Sequence, residues 1–326
     1  MITKSLRAIM TLLLAMFLAS MSSSCAMIAV EKEASEALNW LRSQQQADGS
    51  IPSTVSGAYN GTSKAVLAIA AGNQDPHTWL SGDNKSPLDF LTSQAITRTD
   101  TITETGTAAW LTLAVVAAGE DPQNFGGVDL VQQLQDDYNS TTGQYGLEGD
   151  VLAQALSTMA VRATGQTVSM TATELVKSWQ DPGGGWGYAY PCTGRCSPDV
   201  GNTALAMQAL ISAGEPVTST AIVSATNFLK SQQGEDGGFQ SWGTSNANST
   251  AWGIQALIAA GQDPAGPAWK KNGHTPMEYL LSLQADEGYF EYSSPPPDWA
   301  ADLVLTTVQA VPALAGKPFP LPKPSK

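Results

Sequence analysis

Four stretches of the chain end a helical pattern in the same way: a glutamine, three residues, a glycine, one residue, then a large apolar side chain. They are Gln45-Gly49-Ile51, Gln180-Gly184-Trp186, Gln233-Gly237-Phe239 and Gln284-Gly288-Phe290. Degenerate copies at Gln94 and Gln135 lie between the first and second. The spacing divides the chain into six units of roughly 48 residues. A unit of that size is one supersecondary element, and it buries its apolar face only against its neighbours.

Each unit reads as two helices. The first half carries apolar residues at helical spacing, such as Leu38 and Leu41, Phe228 and Leu229, or Tyr279, Leu280 and Leu283. It stops at turns such as Ala47-Asp48-Gly49 and Glu235-Asp236-Gly237, where glycine supplies a positive φ. The second half is nearly free of charge, as in Ser63 to Gly72, Thr107 to Gly119, Ala204 to Gly214 and Ser249 to Gly261. Helices apolar on most sides must be buried on most sides. Amphipathic helices alternating with buried ones, six times over, predict an all-α protein. Its architecture is an (α/α)6 toroid over residues 34–316, with the alanine-rich helices inside. Pro312 predicts a kink in the sixth inner helix.

With 29 acidic and 16 basic residues, the formal charge is −13, which argues against a nucleic-acid partner. Lys4 and Arg7 precede an apolar run from Ala8 to Met21, too short for a membrane span and suited to a signal peptide ending near residue 26. A short linker, 27–33, joins it to the toroid. Ser22-Ser23-Ser24-Cys25 resembles a bacterial lipobox, although Ser22 departs from the usual leucine. The expectation is an exported protein at a bacterial surface or in the periplasm, with membrane attachment through lipid on Cys25 or simple cleavage as the alternatives. Cys192 and Cys196, in a loop rich in Gly and Pro, predict a disulfide in such a compartment. Neither His77 nor His274 lies near them in sequence, so no metal and no cofactor is expected.

The run from Phe228 to Trp242, with its Gln233-Gly237-Phe239 ending, resembles the QW repeats of the squalene cyclase and protein prenyltransferase superfamily. The resemblance covers residues 34–316 and is strong in units one, four, five and six. It implies a toroid around a cavity, with the Gln and aromatic side chains tying turns together. The superfamily's catalytic motifs are not matched. The closest approach to the D-x-D-D acid is Asp136-Asp137, with Leu134 where the first aspartate belongs, and it reads as a solvated turn away from the cavity. Asp199-Val200-Gly201 has glycine where the zinc thiolate of a prenyltransferase belongs. A toroid without catalytic acids also resembles the α-domain of the cobalamin carriers intrinsic factor and transcobalamin. Those carriers add a β-domain, whereas here a Pro/Lys-rich tail, 317–326, follows the repeats.

Counting back 15 residues from glycines 119, 165, 214 and 261 gives Glu104, Asp150, Asp199 and Asn246, and Asp302 is one step out of register. These residues either cap the inner helices or form a polar rim at one mouth. Trp110, Trp252, Tyr188, Tyr190, Trp242 and Trp299 are candidate walls of the cavity. The expected function is a non-catalytic toroid binding a bulky, partly apolar small ligand or a surface protein. The alternatives are an isoprenoid-processing enzyme using Asp199 or Asp150 as its acid, and a structural protein-interaction module of the cell surface.

Overall fold

The computed structural model describes residues 30–97, 104–192, 196–297 and 302–324. Six helix pairs follow one another: α1 (30–43) with α2 (Gly57–Ala71), α3 (Pro87–Thr97) with α4 (Thr105–Ala117), and α5 (Leu130–Asp136) with α6 (Val151–Ala163). The second half continues with α7 (Met170–Ser178) and α8 (Val200–Ser212), α9 (Thr220–Ser231) and α10 (Ala247–Ala259), then α11 (Pro276–Leu281) and α12 (Leu303–Leu314). The even-numbered helices pack each against the next, and α12 packs against α2, so the inner ring closes. The architecture is the expected (α/α)6 toroid. No helix among the described residues is long and apolar enough to cross a membrane.

Composition decides which helix goes inside. The outer helix α9 buries only Ile222, Ala225 and Leu229, one stripe at helical spacing. The inner helix α10 buries Ala247 and then every residue from Ser249 to Leu257, including Ala251, Gly253 and Ala256, which are small enough to admit close neighbours on both sides.

The repeated glutamines act as clamps. Each side-chain amide donates to the carbonyl of its own turn glycine and to a carbonyl of the next unit. Gln180 Nε2 reaches Gly184 O and Ala221 O, both at 2.8 Å. Gln233 Nε2 reaches Gly237 O at 3.1 Å and Trp269 O at 2.7 Å. Gln284 Nε2 reaches Gly288 O at 3.0 Å and Glu33 O at 2.8 Å, fastening the last unit to the first. The large residue after each glycine is then fixed from the inner ring. The Trp186, Phe239 and Phe290 backbone N–H groups donate to Thr203, Thr250 and Thr307 Oγ1 at 2.9 to 3.0 Å.

Gly72 does not take a left-handed conformation (φ −79°), and the next residue, Asn73, does so instead at φ 57°. Gly72 packs closely on α1, and a Cβ there would push the Leu38 side chain aside. The helix α12 runs through Pro312 and stops two residues later, at Leu314. Cys192 and Cys196 form the expected disulfide.

A surface clasp joins the first two units. The His77 ring lies 2.7 Å from Asp75 through Nδ1 and 2.7 Å from Glu120 through Nε2. Burial lowers the pKa of this ring, but the hydrogen bonds to Glu120 and Asp75 outweigh it and leave the pKa raised. A raised folded pKa adds stability that is complete below the unfolded value and lost as pH rises through the folded one. The clasp is exposed and screened, so its contribution is at most about 1 kcal/mol. His77→Gln should therefore lower the melting temperature at about pH 5.5 and leave it nearly unchanged at about pH 8.5. An equal loss at both, measured by thermal denaturation, would contradict the charged clasp.

Candidate functional site

The inner helices all begin at one mouth of the ring, and their first residues carry the polar side chains read from the sequence. Asp150, Asp199, Asn246 and Asp302 each accept the backbone N–H three residues on, from Ala153, Asn202, Ser249 and Leu305, at 2.8 to 2.9 Å. These four are helix caps. Glu104 occupies the same position on α4 but makes no cap bond through its side chain.

Beside Glu104 the mouth opens into a pocket of about 820 Å³. Its acidic lining is Glu104, Asp136, Asp137 and Asp150. The sequence reading of Asp136-Asp137 as a turn remote from the cavity is corrected here. The pair does end an outer helix, but that end lies beside the start of α4 and lines the pocket. Asp137 Oδ2 accepts Thr105 Oγ1 at 2.7 Å, tying the end of α5 to the start of α4. A short hairpin of two-residue strands, β1 (Tyr138–Asn139) with β2 (Gln144–Tyr145), then turns the chain toward α6.

The other lining residues balance these acceptors. Lys64 of α2 donates to Ser56 Oγ at 2.9 Å, and its Nζ stands 5.5 Å from the centre of the Trp110 ring. Burial pushes the ammonium down from 10.5 to about 8, while Asp302 acts in the opposite direction. Asn60 Oδ1, on the same pocket, is buried without a hydrogen-bond partner. Leu147 and Leu152, both exposed, supply apolar surface. The site thus offers carboxylate acceptors, one ammonium donor and apolar contact area. Among the described residues no cluster of histidine, cysteine or carboxylate groups suits a metal.

The other candidates lie elsewhere. Trp110 lines the pocket, and Trp252 packs behind it with ring centroids 6.2 Å apart. Tyr188 and Tyr190 face solvent, the latter stacked on Trp179, and neither lines the pocket. Trp242 is 87% exposed, at the tip of the hairpin β3 (Gln240–Ser241) and β4 (Thr244–Ser245), so it is no cavity wall. Asp199 is spent on Asn202, whose N–H and side-chain amide it accepts at 2.8 and 2.6 Å. Trp299 and Cys25 lie outside the described residues. Lys64 and Asn60 were not anticipated. A signal for Lys64 was present, since it is the only charged residue in α2.

No protein-family model matches the chain, and no curated protein matches it by sequence. Solved structures do match. The type II terpene cyclase MstE from Scytonema superimposes with a TM-score of 0.64 at 14% identity, over 89% of this chain and 98% of that one. The GH76A α-1,6-mannanase from Salegentibacter sp. HEL1_6 gives 0.62 at 13% identity, over 88% and 98%. An inactive variant of that mannanase, with two aspartates replaced by alanine, was solved with α-1,6-mannotetrose and gives 0.63 at 12% identity, over 88% and 98%. At these identities the likeness shows a shared α/α toroid.

Proposed function

We propose that this chain is an exported binding protein that takes an oligosaccharide at the acidic mouth of the toroid. The observation that carries this reading is the convergence of Glu104, Asp136, Asp137 and Asp150 on one pocket with Lys64 and Trp110. Sugar hydroxyls donate and accept at once, so they suit a mixed lining of carboxylates and an ammonium. A polyamine has donors only and would meet Lys64 as a like charge. The apolar faces of sugar rings suit Trp110, Leu147 and Leu152, which keeps the partly apolar character expected of the ligand. Export is supported by the Cys192–Cys196 disulfide and by the N-terminal apolar run, with lipid on Cys25 as its anchor.

A second reading is glycoside hydrolysis by Asp136 and Asp137. It is favoured by their place on the pocket and by the mannanase toroid that two aspartate replacements inactivate. Isoprenoid chemistry is less well supported, because the channel beyond Trp110 is filled by Phe319. Native mass spectrometry of protein recovered from its own host tests the binding reading. A bound mass corresponding to intact sugar supports it, whereas a co-purified lipid or an empty pocket contradicts it. Incubation with α-1,6-mannotetraose tests the second reading: shortened products that vanish in Asp136→Asn would favour hydrolysis.

A further inference from the structure

A second cavity, of about 920 Å³, opens at the other mouth of the ring, where the inner helices end. Its walls are a stripe of α1, Val30, Ala34 and Leu38, and a stripe of α11, Met277 and Leu281, each at helical spacing. Leu38 and Leu314 are buried there, while Val30, Met277 and Leu281 are half-buried, which makes the cavity an apolar groove. Its volume lies within the range of ligand sites, about 300–1,000 Å³.

The chain itself points to the occupant. Helix α1 begins at residue 30, on the wall of the groove, and Cys25 precedes it by five residues, a reach of at most about 17 Å when extended. A group tethered so closely meets the groove at an effective concentration on the order of millimolar. The described lining includes Glu31 and Glu278 but no lysine or arginine. A free fatty acid or an anionic headgroup would meet two carboxylates there and no cation. An uncharged acyl chain meets the apolar stripes, and Met277 adapts to its shape. We propose that the groove between α1 and α11 seats one acyl chain of the lipid carried by Cys25. This occupancy depends on the reading of Cys25 as the lipid-bearing residue. Seating the chain there turns this mouth toward the membrane and leaves the acidic mouth, at the other end of the inner helices, facing away from it.

The test is photo-crosslinking in a bacterium that expresses the full chain and is fed a fatty acid bearing a diazirine. After irradiation, digestion and mass spectrometry should find an N-terminal peptide joined through its lipid to the peptide that contains Met277 and Leu281. In Met277→Asp that joined product should fall by about tenfold, because a carboxylate set against an acyl chain is costly, while labelling of Cys25 stays unchanged. The substitution keeps the fold, since an acid in the first turn of a helix is favourable. Labelled Cys25 without the joined product overturns the groove assignment and leaves the anchor standing, whereas unlabelled Cys25 overturns both. A phospholipid crosslinked to the Met277 peptide, with no N-terminal peptide attached, also overturns the assignment, as does an unchanged yield in Met277→Asp.

Discussion

Replacing Gly237 with alanine is expected to destabilise the protein by roughly 3–5 kcal/mol, from backbone strain and steric overlap together. Gly237 sits at φ 86°, which alanine adopts only with strain. A Cβ there would also come within 2.8 Å of the His274 carbonyl carbon and of Thr275 O, in the backbone that opens the next unit's outer helix. Backbone cannot swing aside as a side chain can, so the clamp made by Gln233 must loosen. The control is Gly243, with a similar φ of 83° and nothing within 4 Å of its added Cβ. Gly243→Ala isolates the strain and should cost only about 1–2 kcal/mol. Melting temperatures of the two variants measure the difference. Equal losses would show that the turn of each repeat does not bear on the next.

The second large effect is expected at Asp302, where the ring closes. Asp302 is 9% exposed and accepts hydrogen bonds from Leu305 N at 2.9 Å, Ser53 Oγ at 2.6 Å and Val55 N at 2.8 Å, with a further one from the Thr54 side chain. The bond from Leu305 caps α12, and the others reach the unit at the opposite end of the sequence. Asp302→Ala removes the cap and leaves the buried Ser53 hydroxyl without this acceptor, a cost of about 2–3 kcal/mol. Burial raises the Asp302 pKa, but the hydrogen bonds led by Ser53 and Leu305 win and hold it below the ordinary 3.8. Its stabilisation is therefore present above the unfolded pKa and lost as pH falls through the folded one. The penalty of Asp302→Ala, read by denaturant titration, should be full at neutral pH and shrink below about pH 4. The same variant should move Lys64 below its value of about 8, because Asp302 is the charge that raises it. A penalty independent of pH would contradict this account.

The fold was legible because its signals repeat. Gln180, Gln233 and Gln284 recur with their glycines at a fixed offset, and the alanine-rich inner runs lack charge. The caps were legible for the same reason, since Asp150, Asp199, Asn246 and Asp302 recur at helix starts. The site was legible only in part, because it depends on departures from the repeat. The pocket forms where the end of α5 brings Asp136 and Asp137 beside Glu104, whose side chain makes no cap bond. Contacts of this kind between units leave no periodic trace. The aromatic candidates divided by position: Trp110 lies within an inner helix and faces the pocket, whereas Trp242 sits at a hairpin tip in solvent. The burial of Phe319 was invisible, since a proline-rich segment beyond the last repeat has the composition of an exposed tail.

The central claim is that the acidic mouth is the binding site, and Glu104 offers the cleanest access to it. Its side chain caps nothing, so Glu104→Gln removes a pocket charge without removing a cap. Titration calorimetry with cellotetraose, maltotetraose and chitotetraose as probes should give saturable binding of at least one by the unaltered chain. That binding should weaken by about tenfold in Glu104→Gln, the loss expected for one charge-assisted hydrogen bond, and remain unchanged in Trp242→Ala. Heat of binding from none of the probes, or equal affinity in Glu104→Gln and the unaltered chain, would contradict the assignment of the site.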